Sequence, residues 1–177
     1  GMFSEMRRRR VEPSVITYSA AISACEKGAL WKEALGIFSD MRRNRMESNV
    51  ITYSAAISAC EKAAEWQSAL GMFSELQRRY LKADLITYSA AMSACEKGAQ
   101  WLKALGMVSE MRVRSLEADA IVYNAAICAV GKVARWQDAL VLFSRIHLHR
   151  LKPGVNTYNA AISACETAAR WFEALRL

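Results

Sequence analysis

The sequence repeats itself every 35 residues along its whole length of 177 residues. Two aromatic residues mark the period, and both recur without a gap: Tyr18, Tyr53, Tyr88, Tyr123 and Tyr158, and Trp31, Trp66, Trp101, Trp136 and Trp171. Residues 15–49 and 50–84 are identical at 21 of 35 aligned positions. A fixed period of this length indicates a repeat array, in which each repeat buries apolar surface mainly against its neighbours.

The repeat frame predicts one array over residues 1–177, without linkers. Whole repeats cover residues 15–49, 50–84, 85–119 and 120–154. Residues 1–14 have the pattern of the second half of a repeat, because Phe3–Arg7 parallels Phe38–Arg42, and residues 155–177 form a partial repeat. We therefore expect a piece of a longer array, with exposed helix faces at both ends and self-association that increases with concentration.

Each repeat contains two helical patterns and a short connection. In the first half of the first repeat, apolar residues at Tyr18, Ala21, Ile22 and Cys25 follow the i, i+3, i+4, i+7 spacing of an amphipathic helix. The second half has another apolar face at Trp31, Ala34, Leu35, Phe38 and Met41. Gly28 and Gly98 are well placed to end the first helix of their repeats. No segment alternates like a strand, so the predicted fold class is all-α, an α-solenoid of stacked antiparallel helix pairs.

Composition narrows the class of protein further. An apolar fraction of 53% is enough for a core, and only two prolines and eight glycines interrupt the chain, which excludes collagen-like and disordered sequences. A formal charge of +7 permits a polyanionic partner. No apolar run approaches the ~20 residues that cross a bilayer, and no signal-peptide pattern opens the chain. We expect a soluble protein with no membrane partner.

The residues that commonly carry chemistry form no catalytic pattern. Four cysteines share the repeat frame, Cys25, Cys60, Cys95 and Cys165, at a spacing that fits neither a zinc site nor a disulfide ladder. We interpret them as small buried side chains in a reducing compartment, and we assign no chemistry to Cys128. The only histidines, His147 and His149, are two residues apart and diverge on a helix. Without a P-loop, a dinucleotide-binding glycine pattern or a His-Glu-x-x-His motif, we predict no catalytic residue, metal or cofactor.

A second stripe runs along the first helix, roughly 150° from the apolar stripe at about 100° per residue. It contains Ile16, Ser19, Ser23 and Lys27. Repetition turns the lysine into a regular series, at Lys27, Lys62, Lys97 and Lys132. A regular series of cations suits the phosphates of a single-stranded nucleic acid. The alternative is that each lysine is solvated near a helix C-terminus and interacts with the helix dipole.

The repeat closely resembles the pentatricopeptide repeat. The shared features are the 35-residue length, the Val-Ile-Thr-Tyr-Ser start, the Cys-Glu-Lys-Gly helix end, the Ala-Leu pair and a terminal Asn or Asp. The tetratricopeptide repeat, the other helix-pair family, has a period of about 34 residues and different marker residues. The resemblance implies an α-solenoid that binds single-stranded RNA at one base per repeat. It also implies a mitochondrial or chloroplast location and a role in RNA processing, stability or translation.

The resemblance further implies which residues read the bases. In that family, the residue after the tyrosine acts with the last residue of the repeat. The corresponding pairs are Ser19 with Asn49, Ser54 with Asp84, Ser89 with Asp119, and Asn124 with Gly154, while Asn159 begins a fifth site. The family's preferences suggest A, G and G for the first three repeats. The fourth repeat departs, because Gly154 has no side chain, and Asn124 alone favours a pyrimidine weakly. Helix capping is the alternative explanation of these pairs, because Ser, Asn and Asp all cap helices well.

The family also places an aliphatic residue between neighbouring bases. Ile16, Ile51, Ile86 and Ile121 occupy that position, with packing in the first helical turn as the alternative, and Asn156 departs from the pattern. Arg45, Tyr80, Ser115 and Arg150 stand where the family usually has a glycine, so the turn between repeats is expected to differ or to be stiffer. The runner-up function is a helical scaffold that binds protein or peptide partners.

Overall fold

The computed structural model describes Arg8 and residues 13–175. Every regular element in this part of the chain is an α-helix, and there are ten of them. The prediction of a half repeat at residues 1–14 lies almost wholly outside the described residues. The helices are α1 (Val15–Lys27), α2 (Trp31–Arg43), α3 (Val50–Lys62), α4 (Trp66–Arg78), α5 (Leu85–Lys97), α6 (Trp101–Val113), α7 (Ala120–Gly131), α8 (Trp136–Leu148), α9 (Val155–Thr167) and α10 (Trp171–Ala174).

The chain divides into an N-terminal unit, Gly1–Thr87, and a C-terminal unit, Tyr88–Leu177. In the N-terminal unit, α1 and α3 pack side by side, α2 packs against both of them, and α4 packs on α3. In the C-terminal unit, α7 and α9 pack in the same way, α8 lies against both, α6 packs on α7, and α10 on α9. Within each unit, the first helix of a repeat therefore contacts its own second helix and the first helix of the next repeat, and that next first helix also contacts the preceding second helix.

The marker tyrosine is the largest residue in the core of most repeats. Tyr18, Tyr53, Tyr88 and Tyr123 are buried. Part of this burial comes from the preceding repeat: Phe38 meets the ring of Tyr53 edge-on with ring centroids 4.9 Å apart, and Phe143 meets Tyr158 at 5.0 Å. Small residues such as Ala56 and Ala126 are also fully buried beside the tyrosines and allow close approach of the helices. The predicted apolar stripe is therefore the stripe that packs.

The cysteines lie along the same core. All five are free thiols, and Cys60, Cys95 and Cys165 are buried, whereas Cys25 and Cys128 are half-buried. Burial raises the pKa of the Cys60 thiol to about 11 and that of Cys95 to about 12. These thiols stay protonated at neutral pH and act as small apolar side chains. Among the described residues, no helix is long and apolar enough to span a membrane.

The first helices of the four whole repeats, α1, α3, α5 and α7, begin with side-chain caps. Ser14 forms a capping box with Thr17, and Asn49 accepts a hydrogen bond from the Thr52 backbone N–H at the start of α3. Asp84 and Asp119 accept the equivalent bonds at 2.9 Å each. Each cap satisfies one backbone donor that the first turn leaves without a helical partner. The residue that ends one repeat thus starts the first helix of the next.

Both helices of a repeat end in the same tight turn, in which a residue adopts left-handed backbone geometry. After α1, Ala29 has φ 52°, its N–H bonds to Glu26 O, and the N–H of Leu30 bonds to Cys25 O at 2.9 Å. These two bonds define a Schellman motif, which usually places glycine at the left-handed position. Gly28 follows the last residue of α1 as the sequence predicts, but its φ is −92°, and Gly98 likewise avoids positive φ; the left-handed residue is the alanine after each glycine.

The turn between repeats has the same geometry despite the missing glycine. Arg45, Tyr80, Ser115 and Arg150 all have φ between 54° and 56°. A left-handed conformation costs an L-residue roughly 1–2 kcal/mol because Cβ approaches the following carbonyl oxygen. The chain therefore makes a left-handed turn at these positions without glycine and accepts the strain.

We predict that Tyr80→Gly stabilises the protein. Relief of the left-handed strain outweighs the roughly 0.5–1 kcal/mol that glycine adds in chain entropy, so the free energy of unfolding should rise by about 0.5–1 kcal/mol. Tyr80 is 94% exposed, so little packing is lost. Urea denaturation measures the change. Tyr80→Ala is the control, because alanine keeps the strain and should give no such gain; equal effects of both substitutions would contradict the prediction.

Candidate nucleic-acid interface

The isoleucines near the start of the first helices lie on the surface. Ile16 is 80% exposed, Ile51 65%, Ile86 67% and Ile121 63%. Packing in the first helical turn therefore does not explain why an aliphatic residue recurs at this position. Each isoleucine stands one helical turn or less from a predicted base-reading residue, Ser19, Ser54, Ser89 or Asn124. The exposed methyl groups are available to contact the flat face of a base.

A hydrogen-bond chain connects the two members of the first predicted pair. The Thr52 hydroxyl donates to Asn49 Oδ1 at 2.8 Å, and the Thr52 N–H donates to the same oxygen at 2.9 Å. The Ser19 hydroxyl lies 3.0 Å from the Thr52 hydroxyl oxygen. Because Thr52 has already used its only hydroxyl hydrogen on Asn49, Ser19 must be the donor in this contact. Ser19 of the first repeat and Asn49 at its end thus meet through Thr52 of the second repeat.

The second pair repeats the cap but not the whole chain. Asp84 Oδ1 accepts from the Thr87 N–H at 2.9 Å and from the Thr87 hydroxyl at 2.6 Å. Asp84 is exposed and Ser54 is half-buried. In both pairs the cap uses Oδ1, an atom common to asparagine and aspartate. The atom that distinguishes the two residues, Nδ2 in Asn49 and Oδ2 in Asp84, takes no part in the cap.

The predicted residues of the C-terminal unit depart from this arrangement. Asp119 caps α7 through the Val122 N–H alone, since valine has no hydroxyl to add. Gly154 makes no side-chain cap for α9. Ser89 is half-buried and Asn159 is exposed. Asn124 is half-buried, and its Oδ1 is buried without a hydrogen-bond partner in the described part of the chain.

The first helices of the C-terminal unit border an open groove of about 530 Å³. Asn124, Asn159 and Lys132 line it, so it gathers two predicted base-reading residues and one predicted phosphate ligand. Cys128 lines it as well, but burial and the neighbouring Glu96 raise the pKa of its thiol to about 11. The groove therefore offers amide and ammonium groups rather than a nucleophile.

Two lysines of the predicted series contact the neighbouring repeat. Lys62 Nζ lies 2.8 Å from Glu26 Oε1, and Lys132 Nζ donates to the backbone carbonyl of Glu96 at 2.6 Å. Lys27 and Lys97 are exposed. An exposed ion pair of this kind contributes about 0–1 kcal/mol, so a phosphate can replace the carboxylate at little cost. All four lysines are near the surface, but they are not a row of isolated charges.

Sequence reasoning missed the threonine hydroxyls and the glutamate partners. Thr52 and Thr87 belong to the repeated Ile-Thr-Tyr motif, and their position three residues after Asn49 or Asp84 is a recognisable capping signal. Glu26 and Lys62 are 36 residues apart, one more than the period. Such a spacing places the two side chains on adjacent first helices, one residue out of register. Within the described residues, no three His, Cys, Asp or Glu side chains form a metal-binding group.

Comparison with protein families identifies the class of this chain. The model of the pentatricopeptide repeat domain matches residues 1–28, 36–98 and 106–167, and the PPR repeat model matches residues 16–46 and 86–116. These matches cover most of the sequence. The chain belongs to the pentatricopeptide repeat family. No match is found among curated proteins.

Solved structures agree with this assignment. The maize pentatricopeptide repeat protein PPR10 is 25% identical, with a TM-score of 0.69 over 99% of this chain and 25% of that one. PPR10 in complex with an 18-nt psaJ RNA element is 21% identical, with a TM-score of 0.70 over 92% of this chain and 24% of that one. The PPR domain of Arabidopsis thaliana protein-only RNase P 1, in complex with tRNA, is 14% identical, with a TM-score of 0.81 over 93% of this chain and 86% of that one. The predicted all-α solenoid is confirmed, and this chain spans about a quarter of the length of PPR10.

We predict that Thr52→Val lowers the free energy of unfolding by about 1–2 kcal/mol, because two hydroxyl hydrogen bonds are lost and shape is kept. Thr87→Val is the matched comparison. It should lower the free energy of unfolding by less, because the Thr87 hydroxyl makes one hydrogen bond, to Asp84, whereas the Thr52 hydroxyl makes two. Chemical denaturation of Thr52→Val, Ser19→Ala and the double variant completes a mutant cycle. A coupling free energy of about zero between residues 19 and 52 would contradict the hydrogen-bond chain.

Proposed function

We propose that this chain binds single-stranded RNA with one base per repeat, and that its first three sites prefer A, G and G. RNA complexes among its structural relatives support RNA as the class of ligand. The protein acts by occupancy, covering a short RNA site or positioning another domain there. We place this activity in RNA processing, stability or translation in a mitochondrion or chloroplast.

The orientation of Asn49 is the observation that carries the proposal. Both hydrogens that face its Oδ1 come from Thr52, so the amide nitrogen is directed away from the cap and presents N–H donors. Ser19 donates its hydrogen to Thr52, which leaves its oxygen lone pairs as acceptors. The pair therefore offers one donor and one acceptor. The Watson–Crick edge of adenine offers the complement, an acceptor at N1 and a donor at N6.

The same reasoning assigns guanine to the second site. Asp84 Oδ1 is occupied by both Thr87 donors, so Oδ2 is the oxygen available to a base. A carboxylate oxygen only accepts hydrogen bonds, and the guanine edge presents N–H donors at N1 and N2. Adenine has only its amino group to offer there, and its N1 lone pair would face the carboxylate. Asp119 carries the same chemistry into the third site.

The fourth site rests on Asn124 alone. Its buried Oδ1 lacks a hydrogen-bond partner in the described structure, and a buried acceptor of this kind loses about 1–3 kcal/mol unless it is satisfied. A pyrimidine edge supplies the missing donor, from N4 in cytosine or N3 in uracil. Because Gly154 adds no second contact, we expect weak discrimination at this position.

The aliphatic and basic residues complete the binding surface. An exposed isoleucine beside each reading residue gives a base an apolar surface on which to lie, which removes both from water. The lysines contact the phosphates, and Lys62 exchanges Glu26 for a phosphate on binding. These contacts carry no base preference.

The code is tested by Asp84→Asn. This substitution makes the second pair equal to the first, so preference at the second base should move from G to A by roughly tenfold, with the other positions unchanged. The cap on Thr87 survives because asparagine keeps the Oδ1 acceptor. The measurement is the binding of two short RNAs that differ only at that base.

Asn49→Asp is the reciprocal control and should move the first base from A to G. Either substitution also changes the net charge, which shifts affinity for every RNA by the same factor and cancels in the ratio. If Asp84→Asn strengthens both RNAs equally, Asp84 is a cap and a charge, and the base-reading assignment fails.

The phosphate contacts are tested by salt dependence. If the four lysines each neutralise one phosphate, the slope of log affinity against log salt should be near −3 for single-stranded RNA. Lys27→Gln should make that slope shallower by about 0.7 and weaken all sequences alike. Lys103→Gln, on the second helix α6, is the control and should leave the slope unchanged. Equal binding of duplex and single-stranded RNA would contradict base reading and would leave non-specific charge attraction as the explanation of binding.

A further inference from the structure

Charged residues in the last turns of the second helices form an ion-pair cluster beside the buried marker tyrosine. In the second repeat, Glu75 Oε1 lies 2.8 Å from Arg42 of the preceding repeat and 3.3 Å from Arg79. Burial and Glu75 both raise the pKa of the nearby Tyr53, so the carboxylate, the two guanidinium groups and the phenol form one cluster. The acid balances the cations on either side of it.

The third repeat retains the acid. Glu110 occupies the position of Glu75 and pairs with Arg114 at 2.7 Å. Burial and Glu110 raise the pKa of Tyr88 to about 12. The carboxylate therefore accompanies the tyrosine in the N-terminal and in the C-terminal unit.

The fourth repeat replaces this acid with a cation. Two periods after Arg42, Glu75 and Arg79, the sequence has Arg112, Arg145 and His149. No described carboxylate forms an ion pair with Arg112 or Arg145. Both guanidinium groups act on Tyr123: burial raises the pKa of its phenol, and Arg145 and Arg112 oppose that rise. The charge at the centre of the cluster thus changes from negative, at Glu75, to positive, at Arg145.

This substitution coincides with a cavity of about 490 Å³. Arg112, Arg145, Tyr123 and His149 line it, together with Glu117 and a wall of aliphatic side chains. The His149 ring stacks on Tyr123 with centroids 6.0 Å apart and 28° between the ring planes. The two guanidinium groups outnumber the single carboxylate of Glu117, so the lining favours an anion. None of these residues belongs to the predicted base-reading or lysine sets.

We propose that this cavity binds a phosphate group, carried by inorganic phosphate or by a nucleoside monophosphate. Arginine presents a planar fork of N–H donors that matches the oxygens of phosphate. Two arginines distribute the negative charge of the phosphate over several hydrogen bonds. The phosphate takes the place that Glu75 holds in the second repeat. It thereby neutralises two like charges that line the same cavity.

The experiment titrates inorganic phosphate, and separately uridine 5′-monophosphate, into the protein by calorimetry at constant ionic strength. The unsubstituted chain should bind one equivalent. Arg145→Glu restores the arrangement of the second repeat, so it should remain folded and weaken phosphate binding by roughly tenfold or more. Binding of both probes identifies a phosphomonoester site, and binding of inorganic phosphate alone identifies a free-anion site; each supports the proposal.

Three further variants keep the result unambiguous. Arg78→Glu makes the same change in charge on α4 and should leave binding intact, which separates the cavity from net charge. Arg112→Gln removes one cation without adding an acid and should weaken binding as well. Glu75→Arg adds a third cation beside Arg42 and Arg79 and should create a second phosphate site. The absence of saturable binding, or unchanged binding by Arg145→Glu and Arg112→Gln, would overturn the proposal.

Discussion

Burial of apolar surface between neighbouring repeats is the constraint on which the other features depend. A pair of 13-residue helices cannot enclose a tyrosine by itself, and full burial of such a side chain is a large contribution, since each Å² of apolar surface removed from water contributes about 25 cal/mol. Phe38 covers Tyr53, and Phe143 covers Tyr158, from the preceding repeat. This dependence on neighbours sets the strict period, because any insertion would move one aromatic ring away from the next.

The caps show how one residue serves the fold and the proposed ligand together. Asn49 and Asp84 start a helix through Oδ1, which asparagine and aspartate share, and keep the distinguishing atom outside. The fold therefore tolerates either residue, and the choice between them is free to encode a base. Thr52 adds a constraint that a capping argument alone does not contain, since its hydroxyl also sets which way the Ser19 hydroxyl points. Capping and base reading are thus compatible explanations of the same residues.

Charge follows the period less strictly than apolar packing does, and the exceptions are informative. Lys62 with Glu26, and Arg42 with Glu75, are surface pairs that add little stability, so their loss does not unfold a repeat. Substitution at such a position is accordingly cheap, and Arg145 in place of a glutamate converts a balanced cluster into a cationic cavity. Strain is tolerated for a related reason: each left-handed turn at Arg45 or Tyr80 costs little compared with the burial that the turn makes possible.

The sequence alone determined the helix pairs, their boundaries within a few residues, the buried tyrosine stripe and the family, because period and amphipathic spacing are local and recur in each repeat. The candidate interface was predictable only as a set of positions, and only the tertiary structure showed that Ile16 and Ile51 are exposed rather than packed in the first helical turn. It also decided that Ala29 rather than Gly28 takes the left-handed position, that Thr52 joins Ser19 to Asn49, and that Lys62 meets Glu26. These features depend on atoms from adjacent helices or on the exact residue at which a helix ends. The period of the sequence fixes which positions are equivalent, but it does not specify which atoms of two adjacent helices come within hydrogen-bond distance.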